Sequence, residues 1–567
     1  MTIKLISKLG LLAGVIATSA CTGMIGGESG DDMSPGGVTP PGGGSTGGSS
    51  STGGQGQLPT EAKGKLDLRG TPKYFRVLRI TNEQWTNSVQ QALALPAAPT
   101  NAEAFQDPVS GTTDFTNNEL VLSIDARAVS DFESAAEELA KTISSDPAAL
   151  SRIYSGTDGT GFIAALGRRL YRRPLTTSEA DAYKQLFDVG SAMTGDKSPF
   201  AKGAAVVIEA MLQSPHFLYR TELGQANTPL SPYELAAKLS LWLRDAGPDD
   251  ALLDAAGSGK LDTAEGISSV VKELLDAPTA KKVLARFHSQ FLHFDRFNNL
   301  SKVGVDNYDT DINEELAESS RLFFDRIFSQ GLGVKDIFLS TKGFVGPRLA
   351  PLYQGINGAA ASGMSEVDLG AGRLGYFTQI PFLMLNAHNG EPDPIHRGVT
   401  ISLDVLCAPL GPPAAEIPPL PKRMPGQTNR MVVDEHTKGC GTVCHNNMIN
   451  PLGFAFENFD GMGQYRTVER YGTEELPVDA SGQFNFVGGT KSYTDAFALM
   501  EILAEDPQTH LCYSKKLASY ALQRDVVEAD GGLLTDLSKI SAEGSVKRVI
   551  ETLVTSNSFR MRAGGTQ

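Results

Sequence analysis

Two cysteines and a histidine lie close together in the sequence, at Cys440, Cys444 and His445. A pair of thiols followed at once by a histidine is typical of covalent haem attachment, usually as Cys-x-x-Cys-His. The thiols add to the vinyl groups of the porphyrin, and the imidazole takes an axial position on the iron. Here three residues separate the cysteines, one more than in the usual motif. We expect one haem c, bound by Cys440 and Cys444, with His445 as the iron ligand.

Two other chemistries fit the same residues. Cysteines four apart on a helical turn have Cα atoms about 6 Å apart, which a disulfide can bridge. A Cys440–Cys444 disulfide is therefore one alternative to haem. Zinc is the other, because His436 with Cys440, Cys444 and His445 would supply two imidazoles and two thiolates, although the spacing matches no standard zinc module.

Further histidines are candidates for the second axial position on the iron. His288 and His293 lie in an aromatic-rich stretch, where a hydrogen-bonded core or rim histidine is the competing interpretation. His396 and Arg397 follow a polar turn, and they either face the iron site or bond nearby backbone.

The ligand opposite His445 is not identified by the sequence. Met448 is too close along the chain to reach the other face of a haem, which leaves Met424, Met431 and Met462. Downstream, three phenylalanines offer an apolar lining for a haem or for a small core: Phe454, Phe456 and Phe459.

Two carboxylates downstream of the motif, Glu457 and Asp460, resemble the acid pair of a glycosidase, but nothing places a sugar cleft beside them. A salt bridge to Arg466 or a capping role is the alternative. No His-Glu-x-x-His or P-loop motif occurs in the chain, and its one Gly-x-Ser-x-Gly match, Gly43–Gly47, lies in the Gly/Ser-rich residues 22–65.

The elements that would position these residues are mostly helices. Capping patterns place helix starts after Thr81, Thr176 and Ser231, and Thr81 and Ser231 are each followed three residues later by Gln or Glu. Asn450-Pro-Leu-Gly453 predicts a turn, and residues 477–492 predict a short hairpin. We expect a mainly α, multi-helical fold with short β-hairpin pieces and a cytochrome c-like C-terminal region.

The start of the chain predicts export. Lys4 and Lys8 precede a short apolar stretch, and small residues lead to Cys21, as in a secretory signal too short for a membrane span. Cys21 resembles the lipid-modified cysteine of bacterial lipoproteins. Thr22 after it favours the outer membrane, which places the protein in the periplasm or at the cell surface, with the membrane as partner. Residues 22–65, rich in Gly, Ser, Thr and Pro, predict a disordered tether.

The charge balance and the number of cysteines indicate which partners and disulfides to expect. The chain has 65 acidic and 50 basic residues, a net charge of −15 without a basic stripe, so we expect no nucleic-acid partner. Besides Cys21, Cys440 and Cys444, two cysteines remain. If Cys440 and Cys444 hold haem, an oxidising compartment favours a Cys407–Cys512 disulfide, although sequence alone does not fix connectivity.

Several segments together resemble a known family. They are Arg79–Asn87, Arg172–Thr176, Gln213–Arg220, Leu230–Ala236, Pro394–Gly398, Cys440–Arg466, Asp479–Gly482 and Tyr520–Arg524. Their order is similar to that of exported bacterial proteins built from domains of unknown function 1587, 1595, 1592, 1588 and 1585, often grouped with planctomycete-type cytochrome c modules.

The resemblance implies a haem-c-like site in which Cys-x-x-Cys-His precedes Asp-Pro-Leu/Ile-Gly-Phe. This pattern maps onto Cys440, Cys444, His445 and the run from Asn450 to Phe454, with Asn450 in place of Asp.

The domain organisation expected from these patterns runs along the whole chain. It comprises a lipoprotein signal (1–21), a linker (22–65), a helical 1587-like domain (66–145), a 1595-like helical hairpin (155–224), a 1592-like helical domain (228–357), a 1588-like cytochrome motif domain (370–472) and a 1585-like helical domain (477–562).

The function expected is that of a lipid-anchored envelope protein that exchanges single electrons with a redox protein through one haem c. The alternative is a haem-free surface scaffold or binding module with structural disulfides. The sequence assigns no catalytic residue.

Overall fold

The structure of the chain is a computed structural model. It describes residues 76–108, 113–305, 308–356, 358, 361–411, 419–438 and 444–562. The predicted signal (1–21) with Cys21, the predicted tether (22–65) and Cys440 lie outside these residues. The mainly α-helical class is confirmed, and in the described part the strands form only two-stranded antiparallel sheets.

The N-terminal third is helical between two short strands. Its elements are β1 (Arg76–Arg79), α1 (Asn82–Ala92), α2 (Ala126–Ser144), α3 (Pro147–Ile153), α4 (Gly159–Leu170), α5 (Thr177–Ala192), α6 (Pro199–Leu212), α7 (Pro215–Leu218) and β2 (Tyr219–Glu222). Strand β1 pairs with β2 across this whole segment, with Arg76 opposite Glu222. The pairing closes a hydrophobic core that includes Trp85 and Phe162.

The middle third contains α8 (Pro232–Leu243), α9 (Asp250–Gly257), α10 (Ala264–Asp276), α11 (Pro278–Phe291), α12 (Ile312–Ser329), α13 (Lys335–Leu339), β3 (Lys342–Val345) and β4 (Ser365–Asp368). The last part contains α14 (Ile380–Leu385), α15 (Pro394–Thr400), α16 (Asn429–Thr437), α17 (Asn450–Phe454), hairpin strands β5 (Val468–Tyr471), β6 (Glu474–Pro477), β7 (Gly482–Phe486) and β8 (Gly489–Tyr493), then α18 (Ala496–Glu505), α19 (Pro507–Leu522), α20 (Gly531–Glu543), α21 (Val546–Thr555) and α22 (Asn557–Arg560). One hydrophobic core joins these two parts.

The predicted helix starts are present where local capping dictates them. Thr81, Thr176 and Ser231 each accept a hydrogen bond from the backbone N–H three residues on, and each N3 side chain bonds back to the cap. Such reciprocal capping satisfies amide donors that the first helical turn leaves without partners.

The disulfide expected between Cys407 and Cys512 is present. Both cysteines are buried, and their Cα atoms are 5.3 Å apart. Cys407 follows a π-helical turn (Ile401–Val405), and Cys512 lies on α19. The bond therefore ties the segment after α15 to the C-terminal helices.

Among the described residues, no helix combines the length and apolar character needed to span a membrane.

Candidate functional site

Cys444 and His445 lie at the start of a π-helical turn, His445–Ile449, which leads directly into α17. Both residues are half-buried. The turn predicted at Asn450–Gly453 is wrong, because Pro451 occupies the first turn of α17, where its missing N–H breaks no bond. A π-turn holds one residue more than an α-turn, and such turns occur often at functional sites.

The π-turn aligns His445 with Asn450, five residues on. The Nδ1 of His445 lies 3.2 Å from Asn450 Oδ1, and Asn450 Nδ2 donates to Thr437 Oγ1 at 2.8 Å. The Thr437 hydroxyl in turn donates to the carbonyl of Val433 at 2.8 Å. Because this direction makes Asn450 Oδ1 an acceptor, Nδ1 of neutral His445 carries the proton and Nε2 keeps its lone pair.

Sequence reasoning missed this role of Asn450 and treated it as a turn residue and as a replacement for Asp. The five-residue spacing between His445 and Asn450 was the signal that could have indicated this contact. Positions i and i+5 share a face only where a helix is π-wound. A histidine that donates one ring N–H to a neighbouring acceptor is oriented to bind a metal through its other nitrogen.

Helix α15 supports the site by packing closely on α17. Gly398 approaches the carbonyl of Ile449, and Gly453 approaches the carbonyl of Pro394, so that a Cβ at either glycine would overlap the backbone opposite. The two glycines therefore fix how near the Pro394–Gly398 segment lies to the turn that carries His445.

Arg397 donates hydrogen bonds to backbone carbonyls, which was the second of the two alternatives predicted for it. It is fully buried, and its guanidinium donates to five carbonyls: Leu383, Asn386, Phe456, Phe459 and Asp460, at 2.9–3.1 Å. Burial lowers the pKa of Arg397 to about 10. The residue holds together the end of α14, α15 and the segment after α17.

His396, which precedes Arg397 in the chain, bonds the carboxylate of Asp393. Its Nδ1 lies 2.5 Å from Asp393 Oδ2, and His388 Nε2 lies 3.0 Å from the same oxygen. The hydrogen bond to Asp393 raises the pKa of His396. Asp393 also caps α15 by accepting from the His396 N–H at 3.0 Å.

The other candidate haem contacts have structural partners. His288 is buried, and its two ring nitrogens lie 2.8 Å from the Leu284 carbonyl and 3.1 Å from the Tyr513 hydroxyl. His293 lies 3.6 Å from Asp404. The three phenylalanines after the motif, Phe454, Phe456 and Phe459, are buried, and the last two belong to the main core.

The candidate methionines differ in exposure. Met462 is buried in the main core, whereas Met424 and Met431 are 60% and 55% exposed. Only an exposed methionine can reach a bound group without repacking the core.

The residues described fit a covalently attached haem in one respect. The hydrogen bond of His445 to Asn450 leaves Nε2 as the nitrogen that can bind iron. Within the same residues, no group of three or more His, Cys, Asp or Glu side chains has a metal-binding arrangement.

The carboxylates after the motif are held in a buried network. Glu457 lies 3.6 Å from Arg466, which also lies 4.0 Å from Glu469, and Glu469 pairs with Arg423 at 2.6 Å. The predicted salt bridge to Arg466 is confirmed. Asp460 has the capping role, since its Oδ1 accepts from the backbone N–H groups of Met462 and Gln464.

Family models match four consecutive parts of the chain. Each is described as a protein of unknown function: DUF1595 at residues 159–222, DUF1592 at 230–355, DUF1588 at 373–469 and DUF1585 at 489–559. The chain belongs to a multidomain family of unknown function.

The DUF1588 model carries the short name PSCyt3, and its match contains Cys444, His445 and the α15–α17 contact. No curated protein and no solved structure matches the chain. The comparisons therefore assign this multidomain family but no activity.

The buried Glu457 makes stability depend on pH. Burial raises its pKa to about 7 from the ordinary 4.5, with Glu469 adding repulsion and Arg466 opposing the shift. Because the folded state holds this proton more tightly than the unfolded state, its stabilisation is complete below about pH 4.5 and is lost as the pH rises through about 7. The upper limit of this effect is about 3 kcal/mol.

We expect Glu457→Gln, which cannot ionise, to show a smaller fall in the thermal midpoint than the unmodified protein between about pH 5 and about pH 8. Calorimetry at several pH values measures this difference. Glu475→Gln, at an exposed position on β6, serves as the control and should leave the pH dependence unchanged. Parallel curves for Glu457→Gln and the unmodified protein would contradict the assignment.

Proposed function

We propose that the protein is a cell-envelope component with one c-type haem, which passes single electrons to or from a redox protein. Cys440 and Cys444 hold the porphyrin through thioether bonds, and Nε2 of His445 binds the iron. When bound, the haem supplies one-electron chemistry. The observation that carries the proposal is the hydrogen-bond chain from His445 through Asn450 to Thr437. This chain engages Nδ1 of His445 and leaves the lone pair of Nε2 for the iron.

The polypeptide's part is to orient this ring. Asn450 keeps the proton on Nδ1, and Thr437, which is buried, holds the Asn450 amide. The close contact between α15 and α17 fixes the backbone of Asn450 and of the turn that carries His445. A fixed ligand orientation limits the rearrangement that accompanies electron transfer.

The test is export of the full chain in cells with a working cytochrome c maturation system, followed by a pyridine haemochrome spectrum and intact-mass measurement. We expect one added haem mass that survives denaturation. Cys444→Ser should remove one thioether, and His445→Ala should change the haem absorption spectrum while leaving the thioethers. The double variant Cys407→Ser/Cys512→Ser, which removes the disulfide between the segment after α15 and α19, should keep the haem and lower stability by about 2–5 kcal/mol. A mature chain without added porphyrin mass under these conditions would refute the proposal.

A haem-free scaffold is the second candidate, and one observation favours it. Phe456 and Phe459, which would line a haem pocket, are fully buried in the protein core. In this alternative Cys440 and Cys444 form a disulfide, so thiol titration of the denatured exported chain finds no free cysteine and no pigment is present.

We further propose that Cys21 is lipidated and anchors the protein to the outer membrane, with residues 22–65 as the tether. Cys21→Ala should release the exported protein from the membrane fraction. Retention of that variant in the membrane fraction would exclude lipidation at Cys21 as the anchor.

A further inference from the structure

His288 on α11 and Tyr513 on α19 form a hydrogen-bonded pair in the protein interior, where they are 1% and 3% exposed. Nε2 of His288 lies 3.1 Å from the Tyr513 hydroxyl, and Nδ1 lies 2.8 Å from the Leu284 carbonyl. Because a carbonyl only accepts, Nδ1 of the neutral ring carries the proton, and Nε2 accepts the hydrogen bond that the Tyr513 hydroxyl donates. The phenol of Tyr513 thus points at a nitrogen base.

Burial keeps both groups uncharged at neutral pH. It raises the pKa of Tyr513 well above its usual range and lowers the pKa of His288 to about 3. A buried phenol gives up an electron readily only if its proton leaves at the same time, because a positive charge on the ring would be poorly solvated. A phenol that has lost an electron is a much stronger acid than an imidazolium. Nε2 of His288 therefore takes the proton even at this low pKa.

Aromatic rings lead from this pair to a cavity of about 430 Å³. The ring centroid of Phe287 lies 5.9 Å from that of Tyr513 and 5.4 Å from that of Tyr520. Tyr520 lines the cavity together with exposed residues such as Glu83 and Glu103. An oxidant that enters from solvent therefore reaches Tyr513 through short steps between packed rings.

A second row of rings leads from the pair towards the Cys444–His445 region. The His288 ring stacks on Phe324 at 4.3 Å, and Tyr376 lies 5.1 Å beyond Phe324. Phe382 follows at 6.4 Å and Phe456 at 5.7 Å after it. Phe456 lies two residues after the end of α17, so the pair lies between the cavity and the candidate site along one series of rings.

Three tyrosines belong to this series, and all of them lie within the described residues. The Tyr376 hydroxyl lies 3.0 Å from the Ser320 hydroxyl, and the Tyr520 hydroxyl bonds the Arg286 guanidinium. Neither a hydroxyl nor a guanidinium takes up a proton at neutral pH. Of these three tyrosines, Tyr513 is the one whose hydroxyl bonds a base, so an oxidising equivalent in the series comes to rest there.

We propose that Tyr513 is a redox-active tyrosine that takes oxidising equivalents from peroxyl radicals in the cavity. One electron passes from Tyr513 through Tyr520 to the peroxyl radical, which takes a proton from water and becomes a hydroperoxide. The phenolic proton of Tyr513 moves to Nε2 of His288. The products in the protein are a neutral tyrosyl radical and an imidazolium, both shielded from solvent.

Flash oxidation of the exported full chain with trivalent tris(bipyridine)ruthenium, followed by freezing and electron paramagnetic resonance spectroscopy, tests this proposal. The chain is produced without cytochrome maturation and with its free thiols alkylated, so the result is independent of the haem proposal. We expect a tyrosyl signal that persists after surface tyrosyl radicals have coupled to dityrosine. The signal should form more slowly in D2O than in H2O, because a proton moves with the electron.

Tyr513→Phe should remove the persistent signal. Tyr493→Phe is the matched control and should keep it, since Tyr493 is also buried and donates one hydrogen bond, to the Pro451 carbonyl at 2.7 Å. His288→Gln should remove the signal although Tyr513 is present, because a carboxamide accepts the hydrogen bond of the phenol but not its proton.

Four results would overturn the proposal. They are a lack of any persistent signal in the unmodified protein, its retention in Tyr513→Phe, its loss in Tyr493→Phe as well, and its retention in a His288→Gln variant with an unchanged thermal midpoint. If His288→Gln does not fold, the solvent comparison decides on the unmodified protein, and equal rates in H2O and D2O exclude the proton transfer to His288.

Discussion

Replacing Arg397 by Met is expected to destabilise the protein by about 5 kcal/mol or more and to prevent accumulation of the folded form. Five backbone carbonyls would lose their buried donor, and each unsatisfied buried acceptor costs about 1–3 kcal/mol, although such terms do not add fully. Arg397→Lys should be intermediate, because an ammonium has three donors and lacks the planar fork that reaches five acceptors.

Urea unfolding followed by tryptophan fluorescence measures this effect. The chain has two tryptophans, Trp85 and Trp242, and both are buried. Arg470→Met is the control within the same domain, since Arg470 is 75% exposed and makes a surface ion pair with Glu475. It should change stability by about 0.5 kcal/mol or less. A similar small effect of Arg397→Met would show that the carbonyls find other donors.

The contacts of Arg397 are an example of what the sequence could not predict. The sequence could not decide whether Arg397 faces the iron site or bonds backbone. The carbonyls that Arg397 binds lie far apart in the chain, from Leu383 to Asp460. Helix starts at Thr81, Thr176 and Ser231 were predictable, because a capping box is complete within four residues.

The sequence suggested two residues of the candidate site, but it could not predict their geometry. Cys444 and His445 are candidates because of their adjacency, and the Cys407–Cys512 disulfide was expected only on the condition that Cys440 and Cys444 hold haem. The alignment of His445 with Asn450 depends on a π-turn, which local propensity does not predict. The β1–β2 pairing joins residues far apart in the chain, and sequence periodicity carries no information about such contacts.

Glu222 at the end of β2 is the second position where a single substitution should have a large effect. It lies beside three buried cations: Lys238 on α8 at 3.1 Å, Arg76 on β1 at 4.0 Å, and Arg220, to which it is also hydrogen-bonded. These cations lower the pKa of Glu222 well below its usual range, against the effect of burial. The carboxylate thus joins the 1595-like region to the helices that follow it.

Glu222→Gln is expected to cost about 3–5 kcal/mol, because it leaves buried cations without their counter-ion. Burial already lowers the pKa of Lys238 to about 7, and loss of Glu222 lowers it further. The folded variant then binds fewer protons than the unfolded chain, so its stability should rise as the pH increases above neutral.

Denaturation midpoints at neutral and alkaline pH measure both effects. The second substitution Lys238→Met, added to Glu222→Gln, should recover part of the loss, because it removes one of the uncompensated cations. Glu119→Gln is the matched control, since Glu119 pairs with Arg76 at 3.0 Å but is nearer the surface, and it should have the smaller effect. If Glu222→Gln is no more destabilising than Glu119→Gln, the three cations do not depend on this carboxylate, and the proposed link between the two regions is wrong.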